Sequence, residues 1–319
     1  MSEIELSVII PSRNVETKIK NIILSVFQEL KDLHAEFIII DMNSSDATVF
    51  KAFSVMKEYH IAGHVIQSGA VPIGTALNMG IFKASGKYIT FLFPKRLYKN
   101  FIEAYYKTAL NENADFIFST PPFAEDKITA ARTNLSNVDG IDLAIGIIKS
   151  IVYIDFGAIM LKKEFVIGKH IKFLEDCQYG YAEAFIFKVI LENPKISFSS
   201  ATIEHDMENR AKQEEEDITA KICFERVEAM LQIFELIKQK YKDNQLLINI
   251  FEYQKIPETI FNCIDLLLEK GFSYKAIRTS IQLKKYDRFL KFSKITPHKL
   301  RRNIIVWRTT PWMYKPKKG

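Results

Sequence analysis

The sequence contains little cysteine and little glycine, and it lacks any long apolar run. Its three cysteines, Cys177, Cys223 and Cys263, are odd in number and far apart, which argues against a disulfide framework and a Cys-x-x-Cys zinc site. Glycine supplies only 12 of 319 residues, which excludes collagen-like repeats. No stretch approaches the roughly 20 apolar residues that cross a bilayer. These absences predict a globular protein whose thiols stay reduced.

The amino terminus lacks the features of an export signal. Glu3 and Glu5 occupy positions where a signal peptide carries positive charge, and the apolar run Leu6–Ile10 is too short for one. We therefore expect a cytoplasmic protein, and this location also allows peripheral contact with the inner face of the cell membrane.

Acidic residues are almost absent from the carboxyl-terminal end. Between Gly271 and Gly319 the chain has 14 Lys or Arg and one acid, Asp287, which gives a net charge of +13. Subtracting +13 from the +6 of the whole chain leaves −7 for the other 270 residues. Such asymmetry is typical of an interaction segment.

Short apolar runs alternate with amphipathic stretches over the first 120 residues. The runs are continuous and end at polar or proline residues, as buried strands do, whereas the stretches repeat apolar residues at helical spacing. This alternation predicts βαβ units and a mainly parallel sheet, in which ligands bind beyond the carboxyl ends of the strands. The predicted strands are 6–10, 36–40, 64–66, 87–93 and 115–118, and the predicted helices are 17–30, 47–59, 72–84 and 100–111.

The pattern changes after about residue 210. Helical spacing dominates from Lys212 onward, and Pro257 is expected to separate one helical stretch from another that runs through Leu268. The sequence therefore predicts a first domain over residues 1–210 and a helical region over residues 211–319.

Four segments of the chain resemble family-2 glycosyltransferases in order and in spacing. Together they cover roughly residues 6 to 180. The resemblance implies an α/β protein of the GT-A fold, in which a Rossmann-like, mainly parallel sheet flanked by helices binds a nucleotide sugar. The segments are Ser7–Pro11 followed by Asn14 and Glu16, Ile38–Asp41 followed by Ser44, Ser45 and Asp46, Gly74–Gly80 followed by Ala84–Leu92, and Glu175–Asp176.

The resemblance places donor contacts at the ends of the first two strands and on the helix before the central strand. Asp41 directly follows four apolar residues, where an unsatisfied carboxylate is costly, so we expect it to contact a ligand. The resemblance implies that this ligand is a uracil-like base. Its alternative role is to cap the following turn, as short polar residues often do. The other expected donor contacts are Pro11, Arg13, Asn14, Glu16 and Asn78.

Glu175 and Asp176 resemble the acidic pair that commonly supplies the catalytic base in this family. An inverting transfer needs a base for the proton of the acceptor hydroxyl, and we assign this role to Asp176. Glu175 would orient Asp176 or bind a sugar hydroxyl. The alternative is an exposed acidic pair at the start of the predicted helix 181–191, where negative charge is favourable.

The chain departs from the family pattern at the end of the central strand. The family usually has an Asp-x-Asp motif there, whose carboxylates hold a divalent cation on the donor diphosphate, but residues 93–96 of this chain are Phe-Pro-Lys-Arg. Magnesium and manganese prefer oxygen ligands, so we expect no metal at this position and no other cofactor. Met42 and Leu77 likewise replace an aspartate and an arginine of the family pattern.

Three explanations of these departures stay open. Lys95 and Arg96, helped by Arg13, can neutralise the diphosphate in place of a cation, which gives a metal-independent transferase. The domain can instead have lost its donor chemistry and serve as a non-catalytic partner of an active transferase. The third explanation is a phosphate-linked or other non-sugar donor on the same fold.

The segment around His205 has the composition of a metal site without its spacing. Acids one and three residues after His205 do not share a helix face with it, so we expect no metal there. In the family, a His or Arg segment after the acidic pair often closes over the donor. His205 and Arg210 are therefore further candidates for donor contact.

The basic tail, residues 289–319, interleaves cations with apolar and aromatic residues that include Trp307, Trp312 and Tyr314. Trp and Tyr beside Lys and Arg suit the headgroup region of an anionic membrane, where each basic residue contributes about 1 kcal/mol. The alternative is that the aromatic side chains pack back on the catalytic domain. No motif indicates nucleic-acid binding.

These patterns lead to one functional hypothesis. We expect an inverting glycosyltransferase that uses a nucleoside-diphosphate sugar and a glycan or lipid-linked acceptor in bacterial surface polysaccharide or glycolipid synthesis. The alternative hypothesis is the non-catalytic partner subunit. The sequence is compatible with either a homo-oligomer or a hetero-oligomer.

Overall fold

The computed structural model describes residues 3–94, 98–119, 135–199, 201, 203–205 and 219–316. The chain divides into two compact units. The first comprises Met1–Asp176 and Phe185–Glu214, and the second comprises Cys177–Ala184 and Glu215–Gly319. The sequence predicts a single boundary at residue 210, so the assignment of Cys177–Ala184 to the second unit has no counterpart in that prediction.

Strands and helices alternate along the first unit. Every strand and helix predicted for the first 120 residues is present, with ends that differ by two residues at most. The described strands are β1 (Leu6–Ser12), β2 (Ala35–Asp41), β3 (Gly63–Gln67), β4 (Tyr88–Phe91), β5 (Tyr98–Lys99), β6 (Phe116–Phe118), β7 (Ile159–Lys162), β8 (Ile196–Phe198) and β9 (Glu204–His205). The described helices before residue 200 are α1 (Ile19–Leu30), α2 (Thr48–Glu58), α3 (Ile73–Lys83), α4 (Ile102–Glu112), α5 (Gly140–Ile148), α6 (Lys163–Gly168) and α7 (Tyr181–Ile190).

Seven of these strands form one sheet in the order β3-β2-β1-β4-β7-β6-β8. The neighbours from β3 to β4 are parallel, and β8 is parallel to β6. β7 is antiparallel to both of its neighbours. The prediction of a mainly parallel sheet flanked by helices is therefore confirmed. A separate two-stranded sheet pairs β5 with β9.

The central strands are buried along their whole length. All seven residues of β1 are buried, as are six of the seven in β2. Helix α1 covers one face of the sheet and buries Ile19, Ile22, Ile23 and Val26, which recur at helical spacing. Because both faces of a parallel sheet are covered, its strands are continuously apolar rather than alternating. This explains the uninterrupted runs in the sequence.

A buried carboxylate joins the starts of β1 and β2 to the turn before β4. Oε1 of Glu36 accepts hydrogen bonds from the hydroxyl of Ser7 at 2.7 Å and from the backbone N–H of Ser85 at 2.6 Å. Burial alone would raise the pKa of Glu36, but the hydrogen bonds from Ser85 and Ser7 outweigh it and hold the pKa below its ordinary value. This network fixes the register at the amino ends of the strands.

The second unit is helical. None of the helices in the described part of the chain combines the length and the apolar character needed to cross a membrane. Cys223 and Cys263 are buried free thiols, and each donates to the backbone carbonyl of the other. The described helices are α8 (Ala220–Lys240), α9 (Gln245–Ile250), α10 (Ile256–Glu269), α11 (Tyr274–Leu283) and α12 (His298–Thr309), with a π-helical segment at Phe251–Lys255 and 3-10 turns at Tyr286–Phe289 and Pro311–Met313.

The prediction that Pro257 separates two helical stretches is wrong. The chain stays helical from α9 through the π-helical segment into α10, and Pro257 lies in the first turn of α10. Proline lacks a backbone N–H and is tolerated in the first turn of a helix. A π-helical segment just before this turn changes the hydrogen-bonding pattern where a proline would otherwise interrupt it.

Candidate donor-binding and catalytic site

The carboxyl ends of four adjacent strands lie at one edge of the main sheet, which we call the carboxyl edge. β3, β2, β1 and β4 are parallel and side by side, so the loops that follow them leave from this edge. The backbone N–H of Met42 donates to the carbonyl of Ser12 at 2.9 Å, and that of Leu92 donates to the carbonyl of Ile9 at 2.9 Å. The loops after the first, second and central strands therefore start next to one another.

Hydrogen bonds join the loop after β1 to the loop after β2. The backbone N–H of Asn14 donates to Oγ of Ser44 at 2.9 Å, and the backbone N–H of Ser45 donates to Oδ1 of Asn14 at 2.9 Å. Asn14 has a φ of 50°, a left-handed conformation that asparagine adopts more readily than most residues. Asn14 thus holds the two loops together, and its contact with a donor stays a prediction.

Asp41 ends β2 and is only 2% exposed. Its Oδ2 accepts the backbone N–H of Ser44 at 3.1 Å, and its Oδ1 accepts the hydroxyl of the same residue. Ser44 therefore satisfies the carboxylate whose burial pointed to a ligand, and the turn-capping role is the one that the structure shows. Contact between Asp41 and a nucleobase stays a prediction that burial cost no longer supports.

The carboxylate of Glu16 is engaged at the start of α2. Its Oε2 accepts the backbone N–H of Ala47 at 3.0 Å, and its Oε1 lies 2.9 Å from Nζ of Lys51. The hydrogen bond from Lys51 lowers the pKa of Glu16, which favours the ionised form. Negative charge is favourable at the amino end of a helix. These contacts brace the loop after β1 against α2, and the predicted donor contact of Glu16 stays untested.

The first position of the family's Asp-x-Asp motif is apolar in this chain. Phe93 is half-buried, and its ring centroid lies 5.4 Å from that of Phe156. Phe156 also stacks on Phe91 at 4.9 Å and lies edge-on to Phe173 at 5.4 Å. A divalent cation needs oxygen ligands, which this ring cluster does not offer. Within the described ranges there is no group of three or more His, Cys, Asp or Glu side chains that could hold a metal ion. These residues do not fit the metal that the resemblance implies.

The other departures from the family pattern are also neutral side chains. Leu77 is fully buried in the core, so it cannot contact a donor, and Met42 is half-buried directly after the end of β2. Of the predicted cations, Arg13 is exposed in the loop after β1. Lys95 and Arg96 lie outside the described residues.

Helix α3 holds the acidic pair at the carboxyl edge. Gly74 lies so close to the backbone of Leu174 that a Cβ added to it would be 2.1 Å from that carbonyl oxygen. The hydroxyl of Thr75 donates to the backbone carbonyl of Glu175 at 3.2 Å. Because α3 begins shortly after the carboxyl end of β3, its first turn places Glu175 and the adjacent Asp176 at this edge. Both acidic side chains are exposed.

The side chain of Asn78 binds the same segment. Its Nδ2 donates to the carbonyl of Phe173 at 3.2 Å and to Oε1 of Glu175 at 3.4 Å, while its Oδ1 accepts the backbone N–H of Phe173 at 2.8 Å. Asn78 therefore positions the acidic pair, a role that the sequence analysis missed. The signal for it is the spacing of Gly74, Thr75 and Asn78, which share one face of a helix. The predicted donor contact of Asn78 stays a prediction.

The chain directly after Asp176 is hydrogen-bonded as well. Within the second unit, Oε2 of Glu225 accepts the backbone N–H of Gln178 at 2.8 Å and that of Tyr179 at 3.4 Å. Both flanks of Asp176 along the chain are thus held by hydrogen bonds.

His205 lies in the two-stranded sheet, where its backbone pairs with that of Tyr98. Its predicted contact with the donor stays a prediction. Pro11, the remaining predicted contact, is buried in β1 one residue before that strand ends.

Two cavities formed by described residues lie away from the carboxyl edge. One of about 440 Å³ is bordered by Asn111, Asn137 and Lys195 near the starts of β6 and β8. The other, of about 500 Å³, lies beside β3 and is bordered by Phe53 and Lys83 among others. Neither includes a predicted site residue. The loops that follow β4 and β6, residues 95–97 and 120–134, lie outside the described residues.

Comparisons with known proteins agree with the fold and with the resemblance. Residues 7–154 match the model of glycosyl transferase family 2. No curated protein matches the chain by sequence. A structure of residues 1–349 of TarS from S. aureus, in complex with UDP-GlcNAc, is 16% identical, covers 95% of this chain and 87% of that chain, and has a TM-score of 0.66. The mannosyltransferase PcManGT from Pyrobaculum calidifontis, in complex with GDP-Man and Mn²⁺, is 11% identical, covers 97% of this chain and 85% of that chain, and has a TM-score of 0.55.

The family match covers β1 to β4 and the loops that follow them, where three of the four resembling segments lie, whereas Glu175–Asp176 lies beyond it. The structural matches extend the same fold over nearly the whole chain. The chain therefore resembles glycosyl transferase family 2 over residues 7–154, and it has the GT-A fold that it shares with the TarS and PcManGT structures.

Proposed function

We propose that the chain transfers a sugar from a nucleoside diphosphate to an acceptor hydroxyl with inversion at the anomeric carbon, and that Asp176 is the general base. The observation that carries this proposal is the clamp between α3 and the acidic pair. Gly74, Thr75 and Asn78 contact the segment that ends in Glu175, and they hold it at the edge where the loops after β1, β2 and β4 begin.

The donor fits the carboxyl edge. Ligands of open α/β sheets bind outside the carboxyl ends of the strands, and in this chain three such ends are adjacent. The TarS structure is a complex with UDP-GlcNAc, and the PcManGT structure is a complex with GDP-Man. A nucleoside-diphosphate sugar is therefore the proposed donor class, and the base is left to experiment.

The proposed step is a single displacement. The acceptor oxygen attacks the anomeric carbon and forms the new glycosidic bond, while the bond to the leaving phosphate oxygen breaks and the nucleoside diphosphate keeps the electron pair. The proton of the acceptor hydroxyl moves to the carboxylate of Asp176. General-base assistance of this kind contributes about 10²–10⁴ in rate. Glu175, held by Asn78, is placed to orient the acceptor or the base.

Charge on the leaving diphosphate requires stabilisation. The ring cluster at Phe93 replaces the carboxylates that would hold a cation, so we assign this role to Lys95 and Arg96, with Arg13 in the adjacent loop. Guanidinium groups bind phosphate through two parallel hydrogen bonds, and fixed cations at the site of developing charge lower the barrier. This assignment makes the reaction independent of a divalent metal.

The proposed acceptor is a glycan or lipid-linked hydroxyl of a bacterial surface polysaccharide or glycolipid. The excess of basic residues at the carboxyl-terminal end supports a peripheral location at an anionic membrane, where a lipid-linked acceptor resides.

Nucleotide binding separates the proposed transferase from a non-catalytic partner. We expect UDP-GlcNAc, GDP-mannose or a related donor to raise the melting temperature of the wild-type protein, and to do so equally in EDTA and in Mn²⁺. No response to any nucleotide sugar would support the partner subunit. A response that disappears in EDTA would show that a metal binds through ligands other than the usual motif.

The Asp176→Asn variant tests the base. Turnover should fall at least about 100-fold, since the amide cannot accept the acceptor proton. Donor affinity, measured by calorimetry, should stay within about twofold of wild type, because the base contacts the acceptor. Unchanged turnover in this variant would exclude Asp176 as the base. The Glu164→Gln variant, at an exposed carboxylate in α6, is the matched control for loss of one charge.

A further inference from the structure

Two apolar side chains project into solvent at the carboxyl-terminal end of the second unit. Trp312 and Met313, in the 3-10 turn Pro311–Met313, are 67% and 64% exposed. Ile305, on the preceding helix α12, is 49% exposed. Large apolar side chains exposed together in this way mark contact surfaces more often than isolated ones do.

The turn is anchored on both sides by buried aromatic residues. Trp307 and Tyr314 are each 3% exposed, and both pack against Phe261 of α10. The hydroxyl of Tyr314 donates to Oδ1 of Asp265 at 2.6 Å, and the hydroxyl of Tyr274 donates to the carbonyl of Tyr314 at 3.1 Å. The aromatic residues of the tail thus divide into anchors and exposed groups, and the anchors fix the turn that carries Trp312.

The segment of the chain that carries these exposed side chains is basic. Residues 290–319 contain nine Lys or Arg and no acidic residue. On α12, Arg302 and Ile305 lie on the exposed face, opposite the buried Ile304 and Trp307. Arg308 and Lys315 are exposed on either side of the turn. We call this surface the Trp312 patch: Arg302, Ile305, Arg308, Trp312, Met313 and Lys315.

The chemistry of the patch selects one partner. A symmetric dimer through this surface would bring each patch against an identical one, and the cations would repel. A nucleic acid would use the cations but would leave Ile305 and Met313 without an apolar partner. An anionic bilayer offers both a negative surface for Arg and Lys and an apolar layer beneath the headgroups, where tryptophan is favoured.

We propose that the Trp312 patch docks the protein on the surface of an anionic membrane, with Trp312 and Met313 inserted among the headgroups and Arg302 and Arg308 against lipid phosphates. This docking does not depend on sugar transfer, so its test reads membrane binding alone and stays valid whether or not the protein turns over a donor.

Vesicle co-sedimentation gives the first test. The wild-type protein should bind vesicles of phosphatidylglycerol and phosphatidylcholine, and binding should weaken in high salt and on pure phosphatidylcholine. The double variant Trp312→Ala, Met313→Ala should bind about tenfold less tightly or worse, since it lacks the two apolar side chains that would insert into the membrane. Arg302→Gln with Arg308→Gln should cost about tenfold as well. Phe82→Ala, which removes an aromatic side chain that is 78% exposed on α3, should bind like wild type.

Intrinsic fluorescence gives the second test, because the chain has only two tryptophans, one buried and one exposed. In Trp307→Phe the remaining Trp312 should shift its emission to the blue on adding anionic vesicles and become protected from acrylamide. In Trp312→Phe the remaining Trp307 should show neither change. If Trp307→Phe fails to fold, a blue shift that the wild-type protein shows and Trp312→Phe lacks gives the same test.

Several results would overturn the proposal. One is a wild-type protein that stays in the supernatant with anionic vesicles. Others are equal binding by the alanine double variant, an unshifted Trp312 emission in the bound state, or equal binding to neutral and anionic vesicles. Retention by RNA together with absence from vesicles would identify the patch as a nucleic-acid surface instead.

Discussion

Two partly or fully buried glutamates show how local partners set charge at the scale of single residues. Glu36 receives hydrogen bonds from Ser7 and Ser85, and its pKa is lowered. Glu29, on α1, is raised in pKa by burial, although it accepts the backbone N–H groups of Asn100, Phe101 and Ile102 at the start of α4. Among the residues that the structure describes, the Oε2 atom of Glu29 is buried and has no hydrogen-bond partner. Ionisation of Glu36 therefore stabilises the folded state, whereas ionisation of Glu29 destabilises it.

The Glu29→Gln variant should change the pH dependence of unfolding. The pKa of Glu29 in the folded state lies above its ordinary value of 4.5, so its favourable contribution is complete below that pH and is lost as pH rises through the folded pKa. Relative to the variant, wild type should lose stability as pH rises above about 4.5. Denaturant melts between pH 4 and pH 8 measure this difference.

The Glu36→Gln variant is the matched control with the opposite sign. Because the folded pKa of Glu36 is lowered, its contribution is present above its ordinary value and is lost as pH falls through the folded pKa. Wild type should exceed Glu36→Gln by about 1–3 kcal/mol at pH 7, as expected for hydrogen bonds to a charged group. Parallel pH profiles for the two variants would contradict this account.

The sequence was informative about residue types at the site and uninformative about their partners. Asp41 was recognised at the end of a strand, and Asn78 on the helix before the central strand. Their partners, Ser44 three residues away and Phe173 almost a hundred residues away, depend on local turn geometry and on tertiary packing. A pattern in one sequence carries little information about local turn geometry and none about tertiary packing.

At the scale of elements, the alternation of apolar runs and helical spacing predicted the sheet well. β1 and β2 are long, continuous and buried, so their signal is strong. β7 and β8, with four and three residues, were not predicted because such short apolar runs are also compatible with buried helix segments. Pro257 was misread because a proline in the first helical turn and one between helices give the same local pattern.

The packing of α3 against the acidic segment yields an element-scale prediction. Gly74→Ala should force α3 and Leu174 apart, since the new Cβ would lie 2.1 Å from a backbone oxygen. We expect a loss of roughly 1–3 kcal/mol in unfolding free energy. Turnover should fall more than about tenfold, because an ångström of misplacement is costly to catalysis.

The control for this change is Gly168→Ala in α6, where an added Cβ has no neighbour within 4 Å among the described residues. It should leave turnover unchanged, and it should keep the unfolding free energy within about 0.5 kcal/mol of wild type or raise it slightly. Wild-type turnover in Gly74→Ala would show that the contact with Leu174 does not position the acidic pair.

At the scale of the whole molecule, the sequence led us to predict a first domain and a helical region. It did not indicate that Cys177–Ala184, which lies within the first domain along the chain, belongs to the second unit. That segment is short, and its backbone donates a hydrogen bond to Glu225, which lies far along the chain. The basic tail was recognised by its composition. Its division into buried anchors and exposed side chains could not be recognised, because one tryptophan is buried and the other is exposed.

Deleting residues 289–319 should unfold the second unit rather than simply release a membrane contact. Leu290, Leu300, Ile304, Trp307 and Tyr314 are buried, and removing them uncovers their partners. Each such side chain contributes about 1.5–3 kcal/mol, and together they approach the whole stability of a typical domain. Circular dichroism should show a loss of helix beyond that of the deleted residues, and a truncated protein with unchanged melting would refute this.

Among the described strands of the main sheet, the reversed strand β7 determines how the proposed catalytic carboxylate reaches the carboxyl edge. Since β7 runs against its neighbours, the chain leaves it at the amino end of the sheet, where Lys163 bonds to Lys87. It must then travel back beside α3 to bring Glu175 to the opposite end. The length of this return path, residues 163–174, therefore sets the position of Glu175 and Asp176 at the carboxyl edge. An insertion or deletion of one residue there would shift both carboxylates relative to the proposed donor site, while every strand would stay in register.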